Sequence, residues 1–161
     1  LDFWEFVQTF WDDVPGAGKL KQNWHMEYIA RLLQEVAERV FRGEKKKHDL
    51  VINVPPGTSK STICSILFPA WIWTRMKGAR IMTASHTDSL VLDLSSKSRA
   101  VIKSERYGKL FPEIALREDQ DTKSYYANTG GGDRYTCTVA GKVPWVFTRI
   151  LYCVCRRNPV Y

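Results

Sequence analysis

Apolar positions recur along this chain first with a helical period and then with the short, dense runs of buried strands. Between Asp2 and Asp13, residues Phe3, Trp4, Phe6, Val7, Phe10 and Trp11 fall at helical spacing, and Val14-Pro15-Gly16-Ala17-Gly18 ends the pattern. Aromatic faces mostly mark cores, so this segment is expected to dock on the domain rather than await a partner. A second helix is predicted from Trp24 to Phe41, with Asn23 as its cap, Ile29, Leu32, Leu33, Val36, Ala37 and Val40 inward, and Gly43 past its end. Leu50 to Val54 is apolar except for Asn53 and stops at Pro55-Pro56, which reads as a buried strand ending abruptly. From Lys60 to about residue 76 the spacing of Ile63, Ile66 and Leu67 is helical again, and Gly78 closes the element. Ala79 to Ala84 reads as a second buried strand, and Asp88 to Ser104 as a third long helix. Tyr107 to Pro112 is rich in turn formers, and the polar stretch 117–133, ending in Gly130-Gly131-Gly132, predicts no regular element. Arg134 to Val139 alternates and is β-branched, a strand for which Lys123 to Tyr126 is a candidate hairpin partner. Strands alternating with helices, followed by a hairpin, predict an α/β fold with a partly parallel sheet.

Composition narrows the class without fixing it. A length of 161 residues suits one compact domain, and 44% hydrophobic content is ordinary for a globular chain. The formal net charge of +7 suggests a polyanionic partner, although ordinary soluble proteins often carry such an excess. No apolar run approaches a membrane span and no signal-peptide layout precedes the first helix, so no membrane partner is expected. Of the four cysteines, Cys64 falls in a predicted helix, Cys137 in a predicted strand, and Cys153-x-Cys155 has the wrong spacing for a zinc knuckle. Free thiols of a reducing compartment are expected.

The candidate chemistry lies between Val51 and Phe68. Strand, Gly-containing turn, Lys60-Ser61 and then helix is the layout of a phosphate-binding loop, in which backbone amides at a helix N-terminus face the anion. Aligned on Lys60, the pattern G-x-x-x-x-G-K-[ST] places Val54 and Ser59 where its two glycines belong, with Gly57 inside the loop. Lys60 as a plain solvated turn residue is the competing reading, and the strand running straight into an apolar helix weighs against it. Trp24 and His25 stand at the entrance of the second helix. A packed aromatic with a satisfied histidine is favoured there over a stacking platform for adenine. Ser85-His86-Thr87, at the carboxyl end of the second strand, are candidate lip residues. Glu44-Lys45-Lys46-Lys47-His48 reads as a solvated basic turn.

Several segments together carry a family likeness. Asn23-Trp24-His25, Ile52-Asn-Val-Pro-Pro-Gly-Thr-Ser-Lys-Ser-Thr62 and Phe68-Pro-Ala-Trp-Ile-Trp73 resemble the N-terminal ATPase domain of phage terminase large subunits, the motors that package viral DNA. The resemblance continues through Thr83-Ala-Ser-His86, Asp93 to Arg99, Asp119 to Lys123, Asn128-Thr129 and Gly132 to Thr138, covering about residues 23–142. It implies a P-loop NTPase fold, ATP and Mg²⁺ as cofactors, and a deviant Walker A loop that dispenses with the usual glycines. By that likeness Lys60 would be catalytic and contact the β- and γ-phosphates, and Ser61 would ligate Mg²⁺. Gly57, Thr58 and Ser59 would cradle the phosphates, Thr62 would extend the nucleotide site, and Trp24 and His25 would border the adenine pocket. The implied partners are double-stranded DNA, a portal and a small terminase subunit, within a homo-oligomeric ring in the cytoplasm of a bacterial host carrying a phage or prophage. Arg75, Arg80 and Arg134 are all available as an arginine finger, with nothing to choose among them.

The resemblance divides the chain into a helical lead including the adenine-side segment (1–45), a partial ATPase core (46–142) and an atypical tail (143–161). Family members follow the hairpin with an apolar strand ending in paired acids and then a nuclease domain. Residues 143–161 contain no Asp or Glu. The tail therefore reads either as a divergent strand or, the preferred expectation, as an out-of-frame reading: the codons of Trp145 to Arg149 can be re-read as Met-Gly-Phe-His-Ala. On this view the fold is incomplete at the C-terminus, and nucleotide binding with weak or absent hydrolysis is expected. The alternatives are another P-loop ATPase or helicase, and a non-catalytic DNA- or partner-binding remnant.

Overall fold

The computed structural model describes residues 1–45, 47–138 and 150–155, the last as backbone only. Helix α1 (Phe3–Phe10) opens with a reciprocal capping box: Asp2 accepts from the Glu5 amide, and Glu5 accepts from the Asp2 amide. Its Phe3, Phe6, Val7 and Phe10 are buried, as a docked helix requires. A 3₁₀ turn (Trp11–Asp13) leads out of it. Helix α2 (Trp24–Phe41) has the predicted bounds, and Gly43 takes φ +71° beyond its end. Asn23 occupies the N-cap position with extended backbone, but its side chain makes no capping bond.

Next come a π-helical turn (Thr62–Leu67) and helix α3 (Phe68–Arg75), then β1 (Arg80–Ser85), α4 (Asp88–Ile102) and α5 (Glu105–Leu110). Strands β2 (Leu116–Asp121), β3 (Tyr125–Asn128), β4 (Asp133–Thr138) and β5 (Ile150–Cys155) complete the described residues. The sheet order is β2-β3-β4-β1-β5. β4, β1 and β5 run parallel, with Arg80 opposite Asp133 on one side and Ile150 on the other. β2, β3 and β4 form an antiparallel meander, Tyr125 opposite Tyr135. The mixed sheet flanked by helices is the α/β architecture expected from the sequence.

One core joins α1, α2, the π turn, α3, α4 and one face of the sheet, with Trp71, Trp73, Phe68, Phe3, Phe6 and Tyr107 fully enclosed. A smaller cluster of Met82, Ala84 and Cys137 lies on the opposite sheet face. Cys64 and Cys137 are buried free thiols. No described helix is long and apolar enough to cross a membrane.

Three expectations need correction. Leu50–Val54 forms no strand: Leu50, Ile52 and Val54 lean partly buried against the core, while Val51 is 85% exposed and Asn53 faces water. The sheet slots beside β1 are taken by β4 and β5, leaving this stretch as an irregular strap over the core. Residues 105–110 are helical rather than turn, because Ser104 Oγ accepts the Tyr107 amide and Tyr107 itself is buried. Within the polar stretch, Leu116–Asp121 is an edge strand whose Asp121 meets Arg99 of α4 and Lys103 just past its end. The frame-shift expectation falls on Trp145 to Arg149, which lie outside the described residues, as do 143–144 and 156–161. Within the tail, Ile150–Cys155 forms strand β5.

Candidate functional site

The turn that carries the candidate chemistry is built by backbone sign alternation. Gly57 has φ +81° and Ser59 φ +61°, and Thr58 between them has negative φ. Ser59 is the one non-glycine residue with positive φ among those described, a conformation that ordinarily costs an L-residue about 1–2 kcal/mol. Successive residues of opposite hand turn neighbouring N–H groups toward a common concavity, the geometry that binds anions. Ser59 stands where the loop pattern has its second glycine, and it adopts the conformation for which glycine is usually needed.

The helix begins at once: Ile63 N donates to Ser59 O at 3.0 Å. Lys60 and Ser61 occupy its first turn, both half-buried, and Thr62 opens the π turn. Two side chains brace the loop. Thr58 Oγ1 donates to Pro55 O at 2.7 Å, and His25 Nε2 lies 3.2 Å from Thr58 O. A carbonyl can only accept, so the proton sits on Nε2. A Cβ added at Gly57 would meet nothing within 4 Å, so this glycine serves conformation rather than close approach.

His25 is thus satisfied, and it ties the start of α2 to the loop, a contact that sequence alone did not assign. Trp24 is not a packed plug: it is 77% exposed, with its ring perpendicular to His25 at 6.2 Å. Tyr28, one helical turn onward, is 55% exposed as well. Sequence reasoning passed over it, although its i,i+4 spacing from Trp24, off the Ile29 and Leu33 face, was available as a signal. Trp24, His25 and residues 57–62 therefore lie in one neighbourhood through the His25–Thr58 contact.

The other candidates divide. Ser85 is buried at the end of β1, His86 is exposed, and Thr87 Oγ1 accepts the Leu90 amide as the cap of α4. Among the arginines, Arg75 is exposed and Arg80 approaches Asp133 at 3.6 Å. Arg134 is fully buried, which removes it as a finger offered to another subunit. Burial raises the Asp133 carboxyl above its ordinary value, opposed by Arg80. No group of three or more His, Cys, Asp or Glu that could hold a metal ion occurs among the described residues. Comparison with known family models, with curated proteins and with solved structures finds no match to this chain.

Proposed function

We propose that this chain is the ATPase portion of a viral DNA-packaging motor of the terminase large-subunit kind, binding ATP with Mg²⁺ through residues 57–62. The observation that carries this reading is the backbone of Ser59. A serine held at φ +61°, directly before Lys60-Ser61 at a helix start, is a strained arrangement with no other evident purpose in the fold. Such strain persists where the surrounding structure over-determines it, as Thr58 and His25 do here.

In this reading the amides of 57–61 at the helix N-terminus donate to the phosphate oxygens, and the Lys60 ammonium neutralises the outer phosphates. The half-buried Ser61 hydroxyl has the position and chemistry to take one place on Mg²⁺, whose remaining ligands would be phosphate oxygens and water. Bound Mg²⁺ would supply charge neutralisation as the terminal phosphoryl group leaves. The exposed Trp24 ring offers a stacking surface near the loop for a base. Double-stranded DNA, a portal and a small subunit belong to the same proposal, as do a ring assembly and a bacterial cytoplasmic setting. No described residue is assigned to activate water, so the expected activity is Mg²⁺-dependent nucleotide binding with little turnover.

Isothermal titration with Mg-ATP tests this directly. The wild-type chain is expected to bind, and Lys60→Ala to weaken binding by about tenfold or more, a loss of ~1.4 kcal/mol or greater. If the only measurable ligand is duplex DNA, bound equally by Lys60→Ala, a non-catalytic binding domain replaces the motor reading. Turnover matching that of complete P-loop ATPases would overturn the expectation of weak hydrolysis.

A further inference from the structure

The helix after the candidate loop is not continuously α-helical, and Pro69 supplies the reason. Ile63 N bonds four residues back to Ser59 O, Phe68 N bonds five back to Ile63 O, and Met76 N again bonds four back to Ile72 O. A continuous α-helix would need residue 69 to donate to Ser65 O. Proline has no N–H, and its ring would press on that same carbonyl. Widening the Thr62–Leu67 turn relieves the clash.

Two side chains from neighbouring elements hold the widened turn. Arg134 Nη2 donates to Ser65 O at 2.8 Å from β4, and Ser98 Oγ donates to Ile66 O at 2.7 Å from α4. Arg134 is fully buried. Its Nη1 donates to Tyr126 Oη at 2.9 Å, and its guanidinium carbon lies 5.8 Å from the Tyr126 ring centre. A buried arginine held by a carbonyl, a hydroxyl and a ring face is expensive to keep, so a core of this kind would ordinarily contain an apolar residue there.

We propose that Pro69 and Arg134 are positioning residues that set the rotational phase of Lys60 and Ser61 about the helix axis. One extra residue in a turn rotates everything before it by about 100° relative to an unbroken α-helix. The face on which the Lys60 ammonium and Ser61 hydroxyl emerge is therefore fixed by whether this turn is π or α. Pro69 forbids the α form, and Arg134 supplies the donor that proline withholds. The inference rests on the reading of residues 57–62 as a phosphate loop.

A two-residue cycle of variants tests it, read by thermal melting, Mg-ATP titration and the side-chain ¹⁵N–¹H signal of His25. Arg134→Met removes the guanidinium bond to Ser65 O together with the buried contacts to Tyr126, lowering the melting midpoint by roughly 5 °C or more. In Pro69→Ala/Arg134→Met, the amide restored at position 69 can serve Ser65 O in an α turn, so much of that thermal loss returns. Mg-ATP affinity does not return: it stays about tenfold or more below wild type, because Lys60 has been turned away. A residue important only for packing would show stability and affinity recovering together. Pro69→Ala alone should shift or abolish the His25 signal, since the bond to Thr58 O depends on where the loop sits. Wild-type affinity and an unchanged His25 signal in Pro69→Ala would overturn the proposal, as would thermal losses in the double variant that simply add. If wild type binds no Mg-ATP, the phosphate-loop reading fails, and with it the role at a nucleotide site. The His25 signal would still decide whether Pro69 sets the phase of the loop. Should Arg134→Met fail to fold, the rescue is read as folding regained in Pro69→Ala/Arg134→Met, and failure of both variants to fold would overturn the proposal.

Discussion

At Ser59 and Gly132 the backbone places opposite demands on a side chain. Ser59 accepts a left-handed conformation that glycine would adopt freely, so Ser59→Gly is expected to keep Mg-ATP affinity. Its stability should change by less than about 1 kcal/mol, because relief of strain is offset by the greater freedom of glycine in the unfolded chain. Ser59→Val, β-branched at positive φ, should lose binding and stability together. Titration beside urea melts of the same samples checks both. Gly132 is a matter of space: an added Cβ would sit 2.2 Å from Lys77 O and 2.8 Å from Ala79 O. Asn128 Nδ2 also donates to Lys77 O, while its Oδ1 accepts the Gly130 and Gly132 amides, so the turn has no slack. Gly132→Ala should cost about 3 kcal/mol, whereas Gly57→Ala, with open space and only φ to oppose it, should cost about 1. Urea melts that rank the two the other way would refute this account. The sequence made the glycine cluster legible as a turn, but not which glycine the fold could least do without. That depends on the neighbouring Lys77–Ala79 backbone, which no local pattern reveals.

Among the elements, α5 shows why local signals failed and what replaced them. Gly108 and Pro112 argued for a turn, yet Ser104 caps a short helix and Tyr107 and Phe111 close over α1. Phe6 and Phe10 lie 4.3 Å apart, Phe10 is 5.6 Å from Tyr107, and Tyr107 is 5.1 Å from Phe111, one aromatic cluster joining two distant segments. Tyr107 Oη donates to Ala70 O at 2.9 Å, tying that cluster to α3. Burial pushes the Tyr107 phenol far above its ordinary value. Folded Tyr107 therefore holds its proton more tightly than the unfolded chain does. The resulting stability is complete below the unfolded tyrosine pKa near 10, and declines as pH rises above it toward the folded value. Tyr107→Phe should lose about 1–2 kcal/mol near neutral pH, through the orphaned Ala70 carbonyl, and should weaken the alkaline decline. Melts at pH 8 and 10.5 measure both effects. A variant as steep as wild type across that range would assign the decline to other groups. Phe6→Ala should cost more, about 3–5 kcal/mol, since four rings meet there. The long helices were legible because their apolar periods are strong. The π turn was not, although Pro69 inside a predicted helix was the clue.

For the whole molecule, the sheet decides what the chain's most strand-like segment becomes. Leu50–Val54 had the composition of a buried strand, but pairing depends on which edges are open, and β1 is bonded to β4 and β5 on its two sides. Its alternating half-buried residues retain the one-sided pattern of a strand without the ladder. A partly parallel sheet was expected from alternation of strand and helix that counted Leu50–Val54 as a strand, whereas the parallel pairs that form are β1 with β4 and β1 with β5. The assignment of slots was not, because it is settled by non-local competition. Truncation after residue 149 removes β5 and leaves the β1 edge unpaired from Arg80 to Ser85. An open edge of this kind recruits other chains. The truncated protein should therefore self-associate in sedimentation at concentrations where the full chain does not, and should melt at lower temperature. A truncated protein that stays monomeric would show that the edge is covered from within. In that case loss of amide exchange at Leu50–Val54 would identify the strap as its occupant. The loop at 57–62 would then gain the leading strand that its sequence pattern anticipates, and Mg-ATP affinity should rise rather than fall.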